Sequence, residues 1–230
     1  MTRLLAGAMG GEANALSPHA GRPGESPKLV QPPESAAAIR DFDTRQHLLF
    51  VQGAGDMWAP DGSGVLVKYL EKSLGTDFDI VAPEMPDADT DPHYLPWRDR
   101  IDAELQAMNG AVVLVGHSFG ASVLLKHLAE GPPPRPISGL FLLSTPWWEP
   151  EGWSAEYAVP DDVGSKLPPA VPIFLYHSRE DPEVPFSHLA LYEQLLRNAT
   201  SRPIDGSNHS FTDGLPELIT DIRQVVASSS

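Results

Sequence analysis

The chain has 230 residues, is 41% hydrophobic and carries a formal net charge of −15, a size that suits one α/β domain with a large core. So acidic a chain is repelled by phosphate, which argues against nucleic acid and anionic membranes and for a small-molecule or protein partner. It contains no cysteine, so disulfides, thiolate metal sites and a cysteine nucleophile are excluded. No apolar run approaches the ~20 residues that span a bilayer. The early LLAGAMGG stretch is too short and glycine-rich for a secretory leader, so a cytoplasmic protein is expected.

Residues 1–40 are rich in Gly, Pro, Ala and Ser without a sustained period, and they read as a flexible arm ahead of a folded domain over 41–230. His47–Gln52 is an apolar run that predicts a central strand, ending in the turn Gly53-Ala54-Gly55 before a helix over Val65–Leu74. The turn is no dinucleotide fingerprint, because Trp58 stands where a third glycine is needed. Phe78–Ala82 predicts another short strand, and an acidic, proline-containing loop then runs to Trp97. From Arg98 to Met108, the spacing of Ile101, Leu105 and Met108 predicts an amphipathic helix.

Ala111–Val115 is uniformly apolar, as a strand buried on both faces must be. It runs into Gly116-His117-Ser118-Phe119-Gly120 and then into a helix over Ala121–Leu128, with Leu124, Leu125 and Leu128 on one face. A G-x-S-x-G between strand and helix places a serine hydroxyl at the C-terminal tip of a sheet, with a helix N-terminus beneath it. Gly131 and three prolines stop that helix, and Gly139–Ser144 resumes the sheet. Residues 145–169 have no strong period but crowd together Trp147, Trp148, Trp153 and Tyr157. They read equally as a small lid whose Trp147 and Trp148 contact substrate, and as a surface loop pinned by aromatics on the core. Val171–Tyr176 predicts a further strand, Phe186–Arg197 a helix, Thr200–Ile204 a weak edge strand and Leu215–Val226 a closing helix. Strand and helix alternate throughout, which implies right-handed crossovers and a mostly parallel sheet with helices on both faces.

A serine hydroxyl is a poor nucleophile at neutral pH and needs a base, whose tautomer a carboxylate must hold. Ser118, Asp181 and His209 each lie in a loop after a strand and supply these three roles in order. Of the eight histidines, His209 follows the last strand in a loop of small polar residues. His117 lies inside the serine turn, directed away from Ser118; His127 on the next helix reads as structural; His177 ends a strand near the acid. Glu180, Asp161 and Asp162 compete with Asp181, which the turn-forming Pro182 favours. Backbone N–H groups of Ala54 and Phe119 are candidates for an oxyanion hole. No spacing of His, Glu or Asp resembles a metal site and no P-loop occurs, so neither metal nor cofactor is expected.

GHSFG, the SREDPEVP stretch after a strand and SNHSF before the last helix resemble the α/β-hydrolase superfamily. The compact size and PEMPDADTDPHYLPW, with Trp97 leading into the next helix, look like its small serine hydrolases of the YdeN-like, retinoblastoma-binding-protein type. This resemblance covers roughly Leu48 to Val226. It implies an α/β-hydrolase fold with a minimal lid and a cofactor-free serine hydrolase with Ser118, Asp181 and His209 as its triad. Where many relatives carry His-Gly ahead of the oxyanion turn, this chain has Gln52-Gly53. The leading expectation is hydrolysis of a carboxylic ester or related acyl compound through an acyl-enzyme on Ser118. An amide-cleaving peptidase and a protein-interaction module on the same fold are the alternatives.

Overall fold

A strand whose consecutive residues are all apolar finds no solvent face, so it belongs in the middle of a sheet covered on both sides. In the computed structural model that is where these runs lie. The chain divides into two units, Met1–Asp41 and Phe42–Ser230. The structure describes residues 45–149, 155–168, 170–206 and 208–229, all in the second unit. The arm expected over residues 1–40 and the Trp153 ring lie outside the described residues.

The elements in chain order are β1 (Gln46–Val51), α1 (Gly64–Leu74), β2 (Phe78–Val81), α2 (Tyr94–Ala107), β3 (Val112–His117) and α3 (Phe119–Glu130). There follow β4 (Ile137–Leu143), α4 (Val163–Lys166), β5 (Ile173–Ser178), α5 (Ser187–Leu195), β6 (Thr200–Ile204) and α6 (Pro216–Ser229). Six strands form one sheet in the order β2-β1-β3-β4-β5-β6, and every pairing is parallel. Between β1 and β3 the chain reverses the direction in which it adds strands. Such a reversal opens a crevice at the carboxyl ends of the two strands, where loops leave toward opposite faces.

Strand side chains alternate between faces, and both faces are packed. Leu48, Phe50, Val113, Val115, Phe141 and Leu143 point to the side carrying α1 and α6, against Leu66, Leu70, Leu218 and Ile222. Leu49, Val51, Leu114, Leu140 and Leu142 point to the other side, against Ile101, Leu105, Leu124, Leu125, Leu189 and Tyr192 of α2, α3 and α5. Asp221 of α6 is buried and accepts hydrogen bonds from the Tyr176 hydroxyl at 2.7 Å and from Arg202 at 3.0 Å. Those bonds tie the last helix to β5 and β6.

Most element ends differ from the sequence expectation by one to three residues, and two differences are larger. Helix α2 begins at Tyr94 rather than Arg98, because Pro96 sits in its first turn, where the missing N–H has no intrahelical acceptor to lose. The aperiodic stretch before β5 holds one helical turn, α4, too short to show a period.

Candidate active site

The site is built where β1 and β3 end side by side. Ser118 follows β3 directly, with φ 51° and ψ −122°, a conformation that L-residues other than glycine rarely adopt. Its own N–H donates to the Leu143 carbonyl at 2.8 Å, and its carbonyl accepts from Ala121 N–H at 3.0 Å, opening α3. The serine is thereby held in a tight turn between strand and helix. Gly53, after β1, packs so closely that a Cβ there would lie 3.2 Å from both His117 Nδ1 and Ser118 Cβ. A cavity of about 150 Å³ opens here, lined by Gly53, Ala54, Ser118, Glu183, His209 and Ser210 among others.

Asp181 and His209 meet in this site. His209 Nδ1 lies 2.8 Å from Asp181 Oδ2 and 3.0 Å from Oδ1, and the carboxylate is fully buried. A carboxylate only accepts, so Nδ1 carries a proton, and in the neutral ring Nε2 is the nitrogen with the lone pair. Asp181 Oδ1 also accepts from the N–H groups of Glu183 and Val184, each at 2.9 Å. Burial works to raise the Asp181 carboxyl, but the bond from His209 and those two backbone donors outweigh it and hold the group well below the ordinary carboxylate range. His177, whose Nε2 donates to the Val184 carbonyl at 2.9 Å, lies 3.5 Å from Asp181 Oδ2. Burial lowers the His177 pKa. Of the competing acids, Asp161 and Asp162 line a different cavity of about 940 Å³ along α4 and α5 that shares none of these residues.

The N–H groups of Ala54 and Phe119 have no acceptor among the described residues, and Ala54 lines the cavity beside Ser118. Gln52 is buried, and its amide holds this turn from within. Its Nε2 donates to the Gly55 carbonyl at 3.0 Å, and its Oε1 accepts from Met85 N–H at 3.2 Å. Trp147 and Trp148 are not among the residues lining the Ser118 cavity. Trp147 packs edge-on against Tyr192, and Trp148 packs against Phe119 and Tyr157 while its Nε1 donates to Ser122 Oγ at 2.9 Å.

Further contacts complete the site, and Ser144, Ser178 and Glu183 are the residues in them that the sequence did not single out. The His209 carbonyl accepts from His117 Nε2 at 3.0 Å and from Ser144 Oγ at 3.3 Å, while the carbonyl of Asn208 accepts from Ser178 Oγ at 2.7 Å. Three strand ends thus grip the backbone of one loop. Glu183, 61% exposed, places Oε2 3.7 Å from His209 Nε2. His127, on the far side of α3, is buried 3.1 Å from Asp102. Among the described residues no cluster of His, Asp and Glu could hold a metal ion, and no helix is long and apolar enough to cross a membrane.

The family described as serine hydrolase matches residues 67–204, more than half of the chain. The chain belongs to the serine hydrolase family. No curated protein matches. Among solved structures, the ydeN gene product of B. subtilis superposes with a TM-score of 0.63 at 16% identity, covering 79% of this chain and 99% of that one. Est1E from Butyrivibrio proteoclasticus gives 0.61 at 14% identity over 81% and 90% of the two chains. A thioesterase domain from the curacin biosynthetic pathway gives 0.59 at 12% identity over 80% and 91%. This serine hydrolase family member therefore has the α/β-hydrolase fold, a mostly parallel sheet between two layers of helices.

Proposed function

We propose that the protein hydrolyses a small carboxylic ester through an acyl-enzyme on Ser118. The observation that carries this reading is the buried Asp181–His209 contact at 2.8 Å in the loop cluster that also holds Ser118. In this reading His209 Nε2 takes the Ser118 proton as Oγ attacks the acyl carbon, and Asp181 stabilises the imidazolium that results. The N–H groups of Ala54 and Phe119 receive the developing oxyanion. His209 then gives its proton to the leaving alcohol, and a water activated by the same ring releases the acid and frees Ser118. The thioesterase named among the similar folds supports an acyl substrate.

The cavity supports a short acyl group. At about 150 Å³ it is well below the roughly 300–1,000 Å³ of pockets that enclose drug-sized ligands, and neither Trp147 nor Trp148 lines it. The test is labelling by a fluorophosphonate probe, beside turnover of p-nitrophenyl acetate and p-nitrophenyl octanoate. Wild type is expected to label and to prefer the acetate; Ser118→Ala and His209→Ala are expected to lose both labelling and turnover. A well-folded wild type that neither labels nor turns over either ester overturns the reading.

A further inference from the structure

His117 immediately precedes Ser118 and is 3% exposed, yet both of its ring nitrogens are engaged. Nε2 lies 3.0 Å from the His209 carbonyl and Nδ1 lies 2.8 Å from Ser63 Oγ. Ser63, at the foot of α1, is buried and also accepts from Gly53 N–H at 2.9 Å. The ends of this chain fix its direction. A carbonyl only accepts and a backbone N–H only donates, so for a neutral ring one arrangement of protons satisfies every member. Gly53 N–H donates to Ser63 Oγ, Ser63 O–H donates to His117 Nδ1, and His117 Nε2–H donates to the His209 carbonyl.

We propose that His117 and Ser63 are positioning residues, forming a buried relay that sets the turn carrying the Ala54 N–H and the loop carrying His209 at a fixed spacing across Ser118. The proposal rests on the reading of Ser118 and His209 as the reacting groups. No backbone pairing joins the Gly53–Gly55 turn to the His209 loop, because β1 and β6 are separated by three strands. The Ser210 hydroxyl, which donates to the Asp61 carbonyl, ties the same two loops farther from Ser118. The relay adds a tie directly beside the serine, where a displacement of about 1 Å costs on the order of a hundredfold in rate.

The relay also requires a neutral His117. Protonation of Nδ1 would turn it from acceptor to donor and leave the Ser63 hydroxyl hydrogen buried without a partner. The His117 and His209 rings are 4.9 Å apart, so a cation on the first would oppose the imidazolium that forms on the second. Burial, reinforced by the charge on His209, lowers the His117 pKa to about 3, against weaker opposing pulls from the His209 carbonyl and Asp181. Proton traffic is thereby confined to one of two adjacent imidazoles.

The experiment uses full-length protein with Ser63→Ala, His117→Leu and His117→Gln, the last of which retains an N–H able to reach the His209 carbonyl. With p-nitrophenyl acetate, Ser63→Ala is expected to lower kcat about tenfold and His117→Leu about a hundredfold, with KM within about twofold. His117→Gln is expected to recover to within about tenfold of wild type. Histidine-selective 15N NMR of wild type is expected to show His117 as the neutral Nε2–H tautomer from pH 5 to 9, with the His209 Nδ1–H resonance shifted in Ser63→Ala. A protonated or Nδ1–H His117 in folded wild type, or a His209 resonance untouched by Ser63→Ala, overturns the relay. Equal losses in the Leu and Gln variants that track thermal stability do so too. Wild type inert to fluorophosphonate would bring down the hydrolase reading instead, and the NMR readout would still decide the relay.

Discussion

Asp181 divides its two oxygens between different donors, and that division makes an isosteric change informative. Oδ1 faces the N–H groups of Glu183 and Val184, whereas the closest approach of His209 Nδ1 is to Oδ2. An asparagine has one acceptor and one donor end, so either orientation sets an NH2 group against a donor. If the amide turns its NH2 to His209, the ring must carry its proton on Nε2 and can no longer accept one from Ser118. Asp181→Asn is therefore expected to lower kcat by about 10²–10⁴-fold while KM changes little, read by steady-state kinetics against folded wild type. A variant retaining more than a tenth of wild-type kcat would remove Asp181 from the proposed machinery. At Ser118 the cost is in the backbone instead. A non-glycine residue held at φ 51° stores roughly 1–3 kcal/mol, offset by the hydrogen bond from its N–H to Leu143 and by the helix that starts on its carbonyl.

Among the elements, α3 matters most because its first turn lies against the end of β1. A Cβ on Gly120 would overlap the carbonyl oxygens of Gln52 and Val51, which are backbone and cannot rotate aside. Gly120→Ala is thus expected to destabilise by about 1–3 kcal/mol in urea unfolding and to lower turnover by moving the serine turn from the Ala54 turn. Unchanged stability would mean that the helix tilts freely. The strands were legible in the sequence because burial on both faces leaves continuous apolar runs, as in Leu48–Val51 and Val112–Val115. The nearness of Ser118, Asp181 and His209 follows from the same logic, since each loop leaves the carboxyl end of a parallel strand. What stayed hidden lacks a period. Ser63, Ser144 and Glu183 are single polar residues whose partners, His117 for the first and His209 for the other two, lie far along the chain, and only the folded register brings them together. For Trp147 and Trp148 composition left a lid and a loop pinned by aromatics equal, and their packing against Tyr192 and Phe119 has the form of the pinned loop.

For the whole molecule, three buried histidines and the half-buried His188 dominate the response to acid. His117, His127, His177 and His188 all have pKa values lowered, in each case first by burial. Below about pH 6.5 the unfolded chain takes up protons that these rings refuse, so their stability is fully present above that pH and is lost as pH falls toward their folded values. His117 alone contributes a slope of about 1.4 kcal/mol per pH unit between 6.5 and 3. The depressed carboxyl of Asp181 acts in the same direction but only below its unfolded value near 3.8. Discharging a chain of net charge −15 works the other way, by relieving self-repulsion. Urea unfolding is expected to show a loss of at least about 2 kcal/mol from pH 7.5 to 5, and His117→Gln is expected to flatten that dependence. A stability that rises over the same interval would show that self-repulsion outweighs the histidines. One further consequence comes from the last helix, whose Leu218, Ile222 and Val225 cover the face formed by Leu48, Phe50, Val113, Val115 and Phe141. A ribosome delivers all six described strands before residues 216–229, so during synthesis α1 is, among the described helices, the one that shelters that apolar face. The nascent chain passes through an interval in which its central strands are complete and half-covered, and a pause or stop codon ahead of Pro216 would leave a sticky sheet for chaperones to hold.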